Sequence, residues 1–155
     1  MKINVLGVIV MSLLLVGCAS VHTEILIEAS PEEVWEVLSD TKTHQEWNPV
    51  LKPLDGEFQE GAKLKYQMIE PGKDPVEVSA KVIKVEPNKE LNQYGGIWGI
   101  MTFDHHWYLE PTEGGTKVIQ HEEYRGVYVP FWDYSWVEPA YAKANEALKN
   151  KIETK

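Results

Sequence analysis

Thr23-Glu24-Ile25-Leu26-Ile27-Glu28-Ala29-Ser30-Pro31-Glu32-Glu33-Val34-Trp35 turns from strand to helix at one residue, Ser30. Residues 23–29 are rich in β-formers and read as a strand. Ser30 then supplies a capping hydroxyl, Pro31 suits the first helical position, and Glu33 completes a capping box. Val34, Trp35, Val37 and Leu38 follow as the buried stripe of that helix. A short helical or turn segment through 42–46 leads to Trp47-Asn48-Pro49.

Beyond Pro49 the pattern is strands with turn punctuation. The candidates are 50–58, 63–69, 76–86, 90–94, 101–110 and 117–127, separated by Gly56, Gly61, Pro71-Gly72, Pro87-Asn88 and Gly114-Gly115. Tyr141, Ala144, Leu148 and Ile152 recur at helical spacing, so the chain closes on a long helix that Pro139 either starts or kinks. The order predicts an α+β fold, with a curved antiparallel sheet of six or seven strands packed on a long C-terminal helix. One or two short helices follow the first strand.

Upstream of the first strand, Lys2 precedes an apolar run, Val5 to Leu15, that is too short to span a bilayer but suits a signal peptide. Leu15-Val16-Gly17-Cys18 resembles a bacterial lipobox, in which the cysteine is acylated and becomes the first mature residue. Cys18 is the only cysteine, and acylation would remove an unpaired thiol from an oxidising compartment. The alternative is an ordinary cleaved signal peptide with a chance cysteine. The reading divides the chain into a signal peptide (1–17), a lipidated N-terminus and short linker (18–22), and one domain (23–155). The expected location is the bacterial cell envelope, on the outer side of the cytoplasmic membrane or in the outer membrane. Ala19, where an acidic residue would resemble an inner-membrane retention signal, favours the outer membrane in a host with two membranes.

Removing 17 of 155 residues leaves 138, enough for one core without disulfides or metals. The formal charge of −9 argues against nucleic acid as a partner and against a polybasic membrane patch. Acyl chains on Cys18 would therefore hold the domain at the membrane.

Several motifs carry a family resemblance. They are Ala29-Ser30-Pro31-Glu32-Glu33-Val34-Trp35, Glu46-Trp47-Asn48-Pro49, and His105-His106-Trp107-Tyr108-Leu109-Glu110-Pro111. To these add Gly115-Thr116 through His121-Glu122-Glu123-Tyr124-Arg125-Gly126, and Asn145-Glu146-Ala147-Leu148-Lys149 in the last helix. In order and spacing they resemble the START-like polyketide cyclase/dehydrase superfamily, also called SRPBCC and Bet v 1-like. The resemblance spans the mature domain. It implies a helix-grip fold with a cavity between sheet and C-terminal helix, and members that bind sterols, lipids, polyketides or other apolar molecules. A minority of members are enzymes, so the fold alone assigns no task.

Strand alternation places candidate residues on that cavity's wall. If Glu113-Gly114 is a two-residue turn, Thr112 pairs with Gly115, Leu109 with Val118, Trp107 with Gln120, and His105 with Glu122. Phe103 and Tyr124 extend the same apolar face. Thr102, Asp104, His106, Tyr108, Ile119, His121, Glu123 and Arg125 occupy the opposite, solvated face. His105 and Glu122 are thus two ionisable groups meeting on an apolar wall. They could pin the hairpin as a hydrogen-bonded pair, orient a ligand's polar group, or act as general acid and base.

Adjacent His105 and His106 point to opposite faces, and His106 opposite His121 makes at most two ligands, so no metal site is expected. No cofactor motif or nucleophile elbow is present, and Gly95-Gly96-Ile97-Trp98-Gly99 lacks the ending of a phosphate loop. The aromatic run 129–136 either closes one end of the core, gates a ligand, or dips into a membrane interface. Asn145 is either a polar contact in the cavity or a helix-flank residue bonded to a neighbouring strand.

The resulting expectation is a membrane-anchored binding protein for an apolar small molecule or lipid, more consistent with binding than with catalysis. Its contacts would be His105, Trp107, Leu109, Val118, Gln120, Glu122, Tyr124 and Asn145. Two alternatives stand beside it: a cyclase- or hydratase-type enzyme using His105 and Glu122, and a structural envelope lipoprotein whose cavity is filled by its own aromatics.

Overall fold

The structure, a computed structural model, describes residues 16–154. Of the signal peptide read over 1–17, only Val16 and Gly17 fall within the described residues. The elements are β1 (Gly17–Ile27), α1 (Pro31–Ser39), α2 (Thr41–Trp47), β2 (Leu51–Asp55), β3 (Lys63–Met68) and β4 (Val76–Glu86). After them come β5 (Glu90–Ile97), β6 (Met101–Thr112), β7 (Gly115–Gly126), a 3-10 turn (Val129–Phe131) and α3 (Val137–Glu153). The strands form one antiparallel sheet in the order β1-β7-β6-β5-β4-β3-β2. The helices α1 and α2 therefore carry the chain from one edge of the sheet to the other, while α3 packs against β1, α1 and α2.

Local chemistry explains the helix starts. The Glu33 backbone N–H donates to Ser30 Oγ at 3.3 Å, and the Glu33 carboxylate accepts from the Ser30 N–H at 2.8 Å, completing the box. The Asp40 carboxylate accepts from the Lys42 N–H at 2.9 Å and starts α2. Pro139 lies in the first turn of α3, so it defines the start and kinks nothing.

The β6–β7 register matches the sequence reading pair for pair, from Thr112↔Gly115 to Thr102↔Arg125. Three boundaries differ by three residues or more. β1 begins at Gly17, so residues 18–22, expected as a linker, are strand paired with β7 from Cys18↔Arg125 to His22↔His121. Alternation carries through, with Val21 and Thr23 buried and His22 and Glu24 exposed. β2 stops at Asp55 because Gly56 takes a φ of 97°. β5 runs through Gly95 and Gly96 to Ile97, and only 98–100 form the turn. At Gly95 a Cβ would lie 2.4 Å from the Phe103 ring and 2.5 Å from the Ser79 carbonyl oxygen, so glycine lets these neighbours close in.

The outward face of β6–β7 is less solvated than its sequence suggests, since Thr102 and Ile119 are buried. His106 there lies 3.0 Å from Glu90 and 3.2 Å from Asp104, and its ring stacks on Tyr108. The core has two lobes. One gathers Ile27, Leu38, Leu91, Trp107, Leu109, Val118 and Leu148; the other gathers Val21, Tyr124, Val137, Ala140, Tyr141 and Ala144. Among the described residues no helix is long and apolar enough to cross a membrane.

Candidate functional site

A predominantly apolar cavity of about 540 Å³ lies between the sheet and the N-terminal half of α3. The volume falls within the ~300–1,000 Å³ of small-molecule sites. Six strands contribute its sheet wall, with Leu51 of β2, Tyr66 of β3, Ala80 of β4, Gln93 of β5, Phe103 and His105 of β6, and Glu122 and Tyr124 of β7 among them. Tyr141 of α3, with Trp132 and Trp136 ahead of it, forms the opposing wall. Half-buried Met68, Val78 and Met101 extend the lining, and the exposed lining residues Ile97, Ile100 and Tyr128 mark where it meets solvent. Beyond His105, the Trp107 ring stands edge-on at 5.8 Å from the imidazole and at 6.4 Å from the ring of Trp47, in the packed core.

Glu122 is the polar centre of the cavity. Tyr124 and Tyr141 both donate their hydroxyls to its Oε2. Among the described residues no donor reaches Oε1, which leaves that atom for a ligand. Burial pushes the carboxyl up from its ordinary 4.5 to about 7, against the opposing pull of the two phenol hydrogen bonds. Burial also raises both phenols, with the nearby carboxylate adding to the effect.

His105 has its own partner. The Gln120 side-chain NH₂ donates to the Tyr141 carbonyl at 3.2 Å and to Asn145 Oδ1 at 2.6 Å. Its Oε1, 3.3 Å from His105 Nε2, must therefore accept. In the neutral ring Nε2 then carries the proton and Nδ1 keeps a lone pair. Burial holds this imidazole down to about 3, so it is neutral at physiological pH.

This arrangement corrects the expected His105–Glu122 pair. The two residues are register partners and both face the cavity, but no hydrogen bond or ion pair joins them. Each is satisfied by a different neighbour, and burial favours the neutral form of both. A second correction concerns depth along the sheet. Of the eight expected ligand contacts, His105, Glu122 and Tyr124 line the cavity. Trp107, Leu109 and Val118 face the same way but lie under α1 and the C-terminal half of α3, in the packed lobe with Leu38 and Leu148. Gln120 and Asn145 are buried connectors: Asn145 Nδ2 donates to Thr23 Oγ1 at 3.1 Å, so the chain Thr23–Asn145–Gln120–His105 ties β1, α3, β7 and β6 together.

Residues that strand pairing did not single out complete the site. Tyr66 donates to Gln93 Oε1 across the cavity wall. Tyr141, read only as part of the helix stripe, brings its hydroxyl to Glu122. The inward phase of β3 and β5 could have flagged Tyr66 and Gln93; nothing in the sequence locates the Tyr141 hydroxyl. The filled-cavity alternative does not hold, because Trp47 and Trp107 pack in the core, Trp98 is exposed, and only Trp132 and Trp136 touch the cavity. Among the described residues no cluster of three or more His, Cys, Asp or Glu side chains is placed to hold a metal ion.

Comparison with known proteins follows the same lines. The family model described as polyketide cyclase/dehydrase and lipid transport matches residues 19–153. A protein from Rhizobium leguminosarum superposes with a TM-score of 0.71 at 17% identity, covering 90% of this chain and 97% of that one. A Mesorhizobium loti protein superposes at 0.69 with 20% identity, covering 88% and 98%. Ara h 8.0201 superposes at 0.67 with 15% identity, covering 90% and 100%. Curated proteins give no match. The shared architecture is the Bet v 1-like helix-grip fold.

Proposed function

The chain belongs to the polyketide cyclase/dehydrase and lipid transport family, and we propose that it is a binding protein for an apolar small molecule or lipid, anchored to the membrane through its N-terminus. The observation that carries the reading is a predominantly apolar cavity with a buried carboxyl, Glu122, held by two phenols on its wall. The apolar body of a ligand would gain from burial against Phe103, Met101, Trp132 and Trp136, at roughly 25 cal/mol per Å² removed from water. Its polar end would meet Glu122 Oε1 and the imidazole of His105. A hydroxyl suits this station, because the carboxyl accepts from it when ionised and donates to it when protonated.

Native mass spectrometry of the full chain, purified from its own host's envelope, tests the proposal. A stoichiometric apolar adduct is expected, identified after solvent extraction. Glu122→Gln is expected to weaken retention about tenfold, equivalent to about 1.4 kcal/mol. A chain that emerges empty and takes up no lipid from its host's extract overturns the reading.

Anchoring has a separate test. Cys18 is exposed at the start of β1, open to acylation. Cys18→Ser is expected to move the chain from the membrane fraction to the soluble fraction and to remove the acyl mass. A variant that stays in the membrane without that mass would assign the anchor to the apolar segment 5–15.

One observation favours a second reading. A carboxyl near 7 suits general acid–base work, so Glu122 could protonate or deprotonate a bound polyketide-like substrate. His105, held near 3, is too weak a base to be its partner. Turnover of the extracted molecule, lost in Glu122→Gln, would establish the enzyme.

A further inference from the structure

Around the mouth of the cavity gather five exposed large apolar side chains, among them the three most exposed of the described residues. Trp98 is 90% exposed, Phe131 81%, Ile97 64%, Ile100 50% and Tyr128 47%. They come from two segments that the backbone joins. The Val127 N–H donates to the Gly99 carbonyl at 3.3 Å, and the Tyr128 N–H donates to the Ile100 carbonyl at 3.0 Å. Ile97, Ile100 and Tyr128 also line the cavity. Leu26, Leu54, Val76, Ile83 and Tyr94, exposed elsewhere, are scattered over four strands, as single surface apolar residues usually are. A contiguous apolar rim around a cavity mouth marks a surface with a partner.

The N-terminus shows which partner. Gly17 pairs with Gly126 and lies against Pro130, where an added Cβ would come within 2.5 Å of the proline ring. Cys18 and the apolar segment 5–15 therefore join the domain at this same rim. Whether the hydrophobic anchor is an acyl group or the segment itself, it leaves from beside Tyr128 and Phe131.

Resting on the binding reading above, we propose that this rim docks on the bilayer. Trp98, Phe131 and their neighbours sit in the interfacial layer, and the cavity opens onto lipid, from which it draws its occupant. Trp and Tyr favour that layer because one part of each ring is apolar and another makes hydrogen bonds. The anchor makes docking intramolecular, so a few weakly inserting side chains suffice. The chain's net charge of −9 gives it no attraction to anionic headgroups, which makes the contact one of apolar side chains with zwitterionic lipid.

The test uses the full chain with its native anchor, reconstituted into phosphatidylcholine vesicles with and without lipids brominated along the acyl chain. Bromine quenches tryptophans that lie within the bilayer. A distinct share of the emission is expected to be quenched, and Trp98→Phe is expected to remove most of that share. Trp98 is almost fully exposed and packs on nothing, so this variant keeps the fold. Equal quenching in the two chains overturns the proposal, as does a Trp98 component that aqueous iodide still quenches in the vesicles. Ligand occupancy is read by native mass spectrometry on the same samples. A loaded chain without Trp98-dependent quenching overturns docking alone, whereas a quenched but empty chain overturns only the binding reading.

Discussion

Between pH 5 and pH 8 the stability of the native chain relative to Glu122→Gln is expected to fall by about 2 to 3 kcal/mol. The cause is the displaced titration of one carboxyl. Glu122 titrates near 7 in the folded chain and near its ordinary 4.5 once unfolded. Between those values the folded state holds a proton that the unfolded state has released, so stability falls as pH rises. The contribution is complete below 4.5 and gone above about 7, each tenfold difference in proton affinity between the two states being worth about 1.4 kcal/mol. Glutamine keeps a carbonyl that can accept from Tyr124 and Tyr141 but has no proton to lose, so the variant lacks this slope. The comparison matters because two buried histidines act in the opposite sense. His44 and His105 are lowered to about 4 and about 3, chiefly by burial, and stay neutral in the folded chain while the unfolded chain takes up protons below 6.5. Their contribution is lost as pH falls through that window, and it cancels from the difference between the two chains. Urea titrations of both proteins at pH 5, 6, 7 and 8 measure the effect. Parallel curves would mean that Glu122 is ionised throughout, and with that the second, enzymatic reading would lose its acid.

Strand phase and turn chemistry are legible in the sequence, whereas the placement of the helices is not. The register of β6 and β7 follows from Glu113-Gly114 alone, because a two-residue turn sets every pair beyond it. The capping box at Ser30 and the apolar stripe of α3 are likewise local signals, and both appear where the residues place them. What period-2 alternation cannot convey is how far along the strand a cavity reaches. Trp107, Leu109 and Val118 point the same way as His105, yet α1 and the distal half of α3 cover them, and the cavity begins only where that cover ends. The same gap hides the partners of Glu122. A Cα pairing with His105 suggests a bond, but the sequence cannot show that Tyr141, 19 positions away in α3, brings its hydroxyl to the same carboxylate. β1 outruns its sequence signal for a related reason. Ala19 and Ser20 have little strand character of their own, and it is β7 that holds them extended.

Trp107→Ala is expected to destabilise the domain by about 3–5 kcal/mol and to leave retained ligand in place. The ring is 2% exposed, the largest of the fully buried side chains, and stands edge-on to Trp47 with Leu109 and Val118 in the same lobe. Truncation removes its burial and opens a void that a sheet pinned on both sides by hydrogen bonds cannot close. A loss of that size is a large part of the ~5–15 kcal/mol by which domains are ordinarily stable, so the urea midpoint should drop steeply with the slope unchanged. The ligand is a different matter, because no atom of Trp107 lines the cavity. Native mass spectrometry at a temperature where the variant is still folded should find the adduct at its usual occupancy. If the adduct is lost while circular dichroism shows the fold intact, the ligand reaches past His105 into the packed lobe, as strand alternation alone suggests. Retention together with a low midpoint would place the boundary between core and cavity at His105.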